Sequence, residues 1–232
     1  MPSSLKAVAF DAYGTLFDVY SVGALAEELF AGRGAALAAM WRDKQIQYSQ
    51  LRTLCDRYED FWQVTADALD YAADALGLRM DSEARERLLQ SYWHLRAFPE
   101  NVAALQQLRA RGLRLAILSN GSPAMLDAAV SAAGMQGLLD KVLSADAVRR
   151  FKTAPEVYEL GPEAFGLQAS EILFVSSNGW DICGATWFGF TTFWVNRAGN
   201  PPERLGVVPA GQGHSLDDVV EFIDARTGRG PA

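Results

Sequence analysis

The fold is decided by the stretch AVAFDAYGTL at residues 7–16. Its first four residues are apolar, Asp11 closes the apolar run, and Gly14 follows three residues later. An apolar run that ends in this way is typical of a buried strand leading into a tight loop. The sequence therefore predicts that the Asp11 carboxylate stands at the carboxyl end of a core strand.

Four further apolar runs read as strands, and helical segments separate them. The predicted strands cover residues 113–118, 141–144, 172–175 and 191–195. Strands that alternate with helices predict a parallel sheet covered on both faces. The predicted fold class is therefore α/β, with a Rossmann-like parallel sheet as its core.

Between about residues 21 and 95 the pattern changes. Helix formers dominate, proline is absent, and apolar residues such as Phe61, Leu69 and Leu76 recur at helical spacing. This block predicts several amphipathic helices. We expect an inserted helical block at about 17–97 in an α/β core made of 1–16 and 98–232.

Composition and charge narrow the class of protein. The chain has 232 residues, half of them apolar, and a formal net charge of −7. The apolar fraction excludes a disordered protein, and the negative charge argues against nucleic acid or an anionic membrane as a partner. Because the first apolar run is too short for a signal peptide and no run is long enough for a membrane helix, we expect a cytoplasmic protein.

Cysteine and histidine are too few for several kinds of site. Cys55 and Cys183 are far apart in sequence, which offers no disulfide framework and no metal knuckle. His94 and His214 lie outside any motif, so neither a His-rich metal site nor a Ser-His-Asp hydrolase is indicated.

In open parallel sheets, ligands bind beyond the carboxyl ends of the strands. Only a few polar residues follow the predicted strands closely enough to reach that edge: Asp11, Ser119, Asn120, Lys152, Ser176, Asn178 and Asp181. They provide one candidate nucleophile, one cation, neutral hydrogen-bonding groups and a second carboxylate. The sequence therefore predicts a catalytic site for a small molecule at this edge.

These residues resemble the four motifs of the haloacid dehalogenase superfamily. DAYGTL at 11–16 resembles its nucleophile loop, SNG at 119–121 its second motif, Lys152 its lysine, and VSSNGWD at 175–181 its fourth motif. All four occur in order, so the resemblance covers essentially the whole chain. It implies an aspartate nucleophile, and the predicted helical block matches the position of that superfamily's cap.

Departures from the phosphatases of that superfamily indicate the reaction. Tyr13 stands where phosphatases carry an acid, and Ser177 stands where they usually carry a metal-binding aspartate. Because Mg²⁺ prefers carboxylate oxygens, we expect no metal ion and no other cofactor. The stretch FVSSNGWDICGATW at 174–187, the pair Trp41-Arg42, the stretch KTAP at 152–155, and Tyr158 resemble the (S)-2-haloacid dehalogenase branch.

That resemblance implies a hydrolase acting on carbon–halide bonds, which converts short (S)-2-haloalkanoic acids into (R)-2-hydroxyalkanoic acids. Asp11 would form an ester with the substrate, Lys152 would keep Asp11 anionic, and Asp181 would activate water. The expected catalytic residues are Asp11, Thr15, Arg42, Ser119, Lys152, Tyr158, Ser176, Asn178 and Asp181. The expected substrate-binding and halide-binding residues are Ala12, Tyr13, Arg42, Ile46, Phe61, Ser119, Asn120 and Trp180.

Three residues differ from that branch. Asp43, Phe151 and Phe188 stand where glutamine, tyrosine and histidine are usual, and the sequence leaves their effect open, including that of Asp43 on the electrostatics of the pocket. The expected partners are a 2-haloacid, the halide product and a second copy of the chain in a homodimer.

Simpler roles remain open for several residues taken alone. Asp181 suits a helix N-terminus, Arg42 a solvated helix face, and Phe61 and Tyr158 plain packing. Two other functions also remain open: a metal-dependent phosphatase of the same fold, and a non-catalytic scaffold that binds a small acid.

Overall fold

The computed structural model describes residues 4–227 and contains one six-stranded sheet in which every strand pair is parallel. The strands are β1 (Ala7–Phe10), β2 (Arg114–Ser119), β3 (Lys141–Ser144), β4 (Ile172–Ser176), β5 (Thr191–Val195) and β6 (Gly211–Gly213). The helices are α1 (Gly23–Leu29), α2 (Gly34–Leu54), α3 (Phe61–Ala75), α4 (Ser82–Trp93), α5 (Asn101–Ala110), α6 (Pro123–Ala132), α7 (Pro155–Phe165), α8 (Gly179–Phe188) and α9 (Leu216–Thr227). The predicted α/β class is confirmed.

The strand order β3-β2-β1-β4-β5-β6 places the first strand inside the sheet. Strand β1 is completely buried and pairs with β2 on one side and β4 on the other. The chain order reverses between β1 and β4, and a ligand crevice forms at such a switch point. The Asp11 N–H donates to the Val175 carbonyl at 2.9 Å, which extends the β1–β4 pairing to the edge where the crevice opens.

The predicted strands are confirmed within one residue. Strand β2 is shifted one residue toward the C-terminus of the prediction, and α5 stops before Gly112, whose φ of +81° suits glycine. Helix α7 begins at Pro155, and Ala154 is its N-cap. Strand β6 and helix α9 are additional to the prediction.

Helices α1–α4 all lie between β1 and α5, and the chain enters and leaves this helical block at one place. Phe17 forms a bridge with Ala97, and the Asp18 N–H donates to the Arg96 carbonyl at 2.8 Å. These contacts support the division at 17 and 97, which stays a prediction. Residues 1–3 and 228–232 of the predicted core lie outside the described residues.

Helix α2 packs against α3, and the Trp41 indole donates to the Thr65 carbonyl at 2.7 Å between them. None of the helices within residues 4–227 has the length and apolar character needed to cross a bilayer.

Candidate active site

The loop after β1 presents Asp11 to three donors. Thr15 Oγ1 and Asn178 Nδ2 both donate to Asp11 Oδ2 at 2.9 Å, and Lys152 Nζ donates to Oδ1 at 3.0 Å. Thr15 lies in the same loop, whereas Asn178 lies between β4 and α8. A carboxylate accepts about four hydrogen bonds, so Oδ1 keeps one accepting position while Oδ2 has both occupied.

Lys152 joins two buried carboxylates. Its Nζ atom lies 3.0 Å from Asp11 Oδ1 and 2.9 Å from Asp181 Oδ2, and its side chain is 1% exposed. Tyr158 donates from its hydroxyl to Asp181 Oδ1 at 2.7 Å. The segment before α7, helix α7 itself and the first turn of α8 thus bring three ionisable groups into contact with the nucleophile loop.

Burial and charge shift the ionisation of this cluster in definite directions. Burial by itself would lower the pKa of Lys152, but the charges of Asp11 and Asp181 outweigh it and raise that pKa above its usual value. Burial raises the pKa of Asp181, although Lys152 opposes this. Burial and then the Asp181 charge raise the pKa of Tyr158 well above its usual value. Lys152 is therefore a cation and Tyr158 a neutral donor at neutral pH.

A narrow cavity lies directly above Asp11. It is lined by Asp11, Tyr13, Arg42, Ile46, Ser49, Phe61, Ser119, Asn120 and Trp180. Its volume of about 10 Å³ is room for roughly one water molecule. Residues from α2 and α3 form one side of it and loops of the sheet edge form the other, so the helical block closes over the nucleophile.

Two of the lining residues are held so that donors remain for a ligand. The Lys152 backbone N–H donates to Asn120 Oδ1 at 2.8 Å. This bond uses the side-chain oxygen of Asn120, so it does not engage the two hydrogens on the side-chain nitrogen. Ser119 Oγ accepts the Gly121 N–H at 3.1 Å and so keeps its own hydrogen to donate. The cavity can therefore offer donors to an anionic ligand.

Arg42 is the cation of the cavity that comes from the helical block. It is 8% exposed, and its Nη2 atom donates to the Tyr13 carbonyl at 3.1 Å and to Asn178 Oδ1 at 3.3 Å. This position excludes the solvated-helix alternative. Asp181 contacts Lys152 and Tyr158 contacts Asp181, so packing or helix capping alone does not describe these two residues.

Two predicted site residues lie away from the cavity. Ala12 is completely buried under the loop and is not part of the cavity lining. Ser176 is also buried, and its hydroxyl accepts the Asn178 N–H at 3.1 Å. The remaining predicted residues either line the cavity or touch Asp11, Lys152 or Asp181.

The structure places Asp43 outside the cavity. Its side chain is exposed on α2 and does not line the cavity. Successive side chains of a helix point in different directions, so Arg42 faces the cavity while Asp43 faces solvent. Phe151 packs against the rings of Tyr58 and Phe61, and Phe188 packs against Tyr158. These two departures change packing beside the site.

Sequence reasoning missed several polar residues next to Arg42. Gln45, Thr65 and Tyr92 are buried, and Gln45 Oε1 accepts from Arg42 Nη1 at 2.6 Å. The available signal was the spacing of Arg42 and Gln45, which places them on one face of α2. Their partners on α3 and α4 have no such local signal.

The donor set does not fit a hard divalent cation. The carboxylates near the nucleophile are Asp11 and Asp181, and Lys152 already bridges them. Ser177, in the position of the expected third ligand, donates its N–H to Thr15 Oγ1 at 2.8 Å. No group of three or more His, Cys, Asp or Glu side chains within residues 4–227 is arranged to hold a metal ion.

Three features together are typical of one class of hydrolase. They are an aspartate after the first strand of a parallel sheet, a buried lysine beside it, and a helical block over the site. Residues 5–189 match the family described as haloacid dehalogenase-like hydrolase, and the chain belongs to that family. Within the family it belongs to the (S)-2-haloacid dehalogenase branch, as the following relatives show.

A curated (S)-2-haloacid dehalogenase of Pseudomonas sp. (strain YL) is 48% identical over 97% of each chain. A crystal structure of an L-2-haloacid dehalogenase is 58% identical, with a TM-score of 0.94 over 96% of this chain and 100% of that one. The L-2-haloacid dehalogenase of Xanthobacter autotrophicus with chloropropionic acid covalently bound is 39% identical, with a TM-score of 0.88 over 98% of this chain and 100% of that one.

Proposed function

We propose that this protein hydrolyses the carbon–halogen bond of short (S)-2-haloalkanoic acids and releases (R)-2-hydroxyalkanoic acids. The reaction proceeds through an ester on Asp11 and uses no metal ion. The observation that carries the proposal is the Asp11 carboxylate, held against Lys152 beneath a cavity that also contains Arg42. The relative with covalently bound chloropropionic acid supports the same type of intermediate.

In the first step, Asp11 Oδ1 attacks the carbon that bears the halogen. This oxygen has the free accepting position, and Lys152 stabilises its charge until the bond forms. The new oxygen–carbon bond forms as the carbon–halogen bond breaks in line with it, which inverts the carbon. The halide leaves with the bonding electrons toward Arg42 and the Asn120 amide, and the Ser119 hydroxyl binds the substrate carboxylate.

In the second step, water attacks the Asp11 carboxyl carbon. Asp11 Oδ2 is then the ester carbonyl oxygen, and Thr15 and Asn178 already donate to it. These donors stabilise the negative charge that develops on Oδ2. Asp181 accepts one proton of the water, and the second proton of the water passes to Oδ1 as its bond to the Asp11 carboxyl carbon breaks. Lys152 stabilises the departing 2-hydroxy acid, which carries away Oδ1. Asp11 is regenerated with one oxygen from water.

The cavity is smaller than a haloacid, so substrate binding requires its walls to separate. We propose that α1–α4 act as a cap whose movement relative to the sheet edge admits the substrate. Tyr13, Ile46, Phe61 and Trp180 then exclude bulk water and hold the alkyl group during displacement.

The deciding experiment is halide release from the two enantiomers of 2-chloropropionate. We expect release from the (S) enantiomer with (R)-lactate as the product, and little or none from the (R) enantiomer. No release from either enantiomer would refute the proposal. A single turnover in ¹⁸O-labelled water tests the intermediate: the label is expected in Asp11, and label found only in the 2-hydroxy acid would refute the ester.

We also propose that the protein works in the cytoplasm as a homodimer. The exposed apolar side chains Leu51 and Leu54 of α2 and Tyr71 of α3 support a subunit contact through the helical block. The free thiols of Cys55 and Cys183 are consistent with a reducing compartment. Light scattering of the purified protein tests the dimer, since a mass near 25 kDa at all concentrations would contradict it.

A further inference from the structure

Arg42 is a buried cation whose hydrogen-bond partners are all neutral. They are the carbonyl oxygens of Gln45, Tyr13 and Asn178, and no carboxylate within residues 4–227 forms an ion pair with Arg42. A buried charge is normally paired because leaving water is costly. The unbalanced charge of Arg42 therefore remains available for an anion that enters the cavity.

The shortest of these contacts joins Arg42 Nη1 to Gln45 Oε1 at 2.6 Å. The Gln45 side chain is completely buried, and its Oε1 atom also accepts from the Tyr92 hydroxyl at 3.0 Å. Burial raises the pKa of Tyr92, so this hydroxyl stays protonated and acts as a donor. The Gln45 carbonyl thus accepts from two donors on different helices.

The other end of the Gln45 amide is fixed as well. Gln45 Nε2 donates to Thr65 Oγ1 at 2.7 Å, and Thr65 Oγ1 donates its own hydrogen to the Phe61 carbonyl at 2.6 Å. Thr65 has only one hydrogen, so toward Gln45 it must accept. The amide therefore has one orientation, with its oxygen toward Arg42.

From this network we propose that Gln45 is a positioning residue, which holds the Arg42 guanidinium over the cavity without neutralising it. The inference rests on the proposed function, in which Arg42 receives the halide. A carboxylate at position 45 would still accept from Arg42 and Tyr92, but it would lose the donor toward Thr65 and would cancel the charge that the departing anion needs. An apolar side chain would keep the charge but lose the orientation.

The test compares Gln45→Glu and Gln45→Met with the wild type. Gln47→Glu is the matched control, because Gln47 is exposed on the same helix and also accepts from a cation, Lys44. Bromide binding is measured first, by titration monitored through tryptophan fluorescence, which requires no turnover. We expect Q45E to weaken bromide binding at least tenfold, Q45M to weaken it less, and Q47E to leave it within twofold.

Single-turnover kinetics then separate positioning from folding. We expect Q45E to slow ester formation, more for 2-chloropropionate than for 2-bromopropionate, because chloride is the poorer leaving group. Hydrolysis of the ester should change less than threefold, because Arg42 has no part in it. A general folding defect would slow both steps alike.

The role of Gln45 would be overturned if both Q45M and folded Q45E bind bromide like the wild type and show the wild-type dependence on the leaving group. If Q45E does not fold, Q45M alone decides: unchanged bromide affinity and ester formation overturn the inference. If the wild type releases no halide, the proposed dehalogenation fails, while the bromide titration still tests how Gln45 holds Arg42.

Discussion

Replacing Lys152 by methionine tests the charge balance on which the proposed chemistry depends. The two carboxylate oxygens that lose their shared partner lie 3.0 and 2.9 Å from one Nζ atom. They are therefore at most about 6 Å apart, where two unit charges at an effective dielectric constant of about 20 repel by about 3 kcal/mol. That repulsion corresponds to an upward shift of about two units in the pKa of one of the two carboxyls.

The sign of the effect on stability follows from this shift. A carboxyl whose folded pKa exceeds its unfolded pKa binds its proton more tightly in the folded protein. The free energy of unfolding of K152M should therefore fall, relative to wild type, as the pH rises from the unfolded pKa of a carboxyl, about 4, through its raised folded pKa, by about 1.4 kcal/mol per pH unit within that window. Burial of Asp181, which already raises its pKa, acts in the same direction.

Urea unfolding at pH 5 and pH 7.5 measures the difference, and single-turnover ester formation measures the chemistry. We expect a decrease of about 1–2 kcal/mol relative to wild type between these pH values, and ester formation slower by at least about 100-fold, in the range for loss of one preorganised charge. Lys141→Met, at an exposed position of β3, is the control. A stability difference that does not change with pH, or ester formation within tenfold of wild type, would refute the charge argument.

Four further predictions concern the surroundings of the site. Tyr158→Phe removes the 2.7 Å bond to Asp181, so it should lower stability by about 1–3 kcal/mol in thermal or urea unfolding and move the pH profile of ester hydrolysis upward. Gly121→Ala places a Cβ atom 2.7 Å from the Tyr13 ring, so the ring must shift and KM for 2-chloropropionate should rise; an unchanged KM would contradict this packing. Asp43→Asn should leave kcat/KM within twofold, since the side chain is exposed. Treatment with EDTA should leave turnover unchanged, and its abolition would favour the phosphatase alternative.

The sequence predicts those parts of the site that depend on strand ends. Asp11 and Asn178 follow the neighbouring strands β1 and β4, so the parallel sheet brings them together once the apolar runs are recognised. The sequence places Lys152 at the same edge, although a short 3₁₀ turn separates it from β3, and its motif resemblance supports that placement. The strand-end argument works because parallel strands share one carboxyl edge.

Contacts between helices could not be predicted in the same way. Gln45, Thr65 and Tyr92 lie on three different helices, and their pairing depends on how those helices cross. The structure likewise places the Asp43 side chain outside the cavity, because a residue next to Arg42 in sequence lies about 100° further round the helix.

The two elements that were missed differ in their signals. Helix α9 has apolar residues at Leu216, Val219, Val220 and Ile223, a spacing that predicts an amphipathic helix. Strand β6 is the segment Gly-Gln-Gly, which has no strand propensity and is recognisable only through its pairing with β5.

The site is built from two separate segments of the chain. Asp11 and Lys152 lie at the sheet edge, and the Arg42 guanidinium lies on α2. Random substitution within α2–α4 can therefore change which halide the enzyme releases, while Asp11 and Lys152 stay unchanged. A laboratory search for variants that cleave stronger carbon–halogen bonds should begin with libraries confined to those three helices.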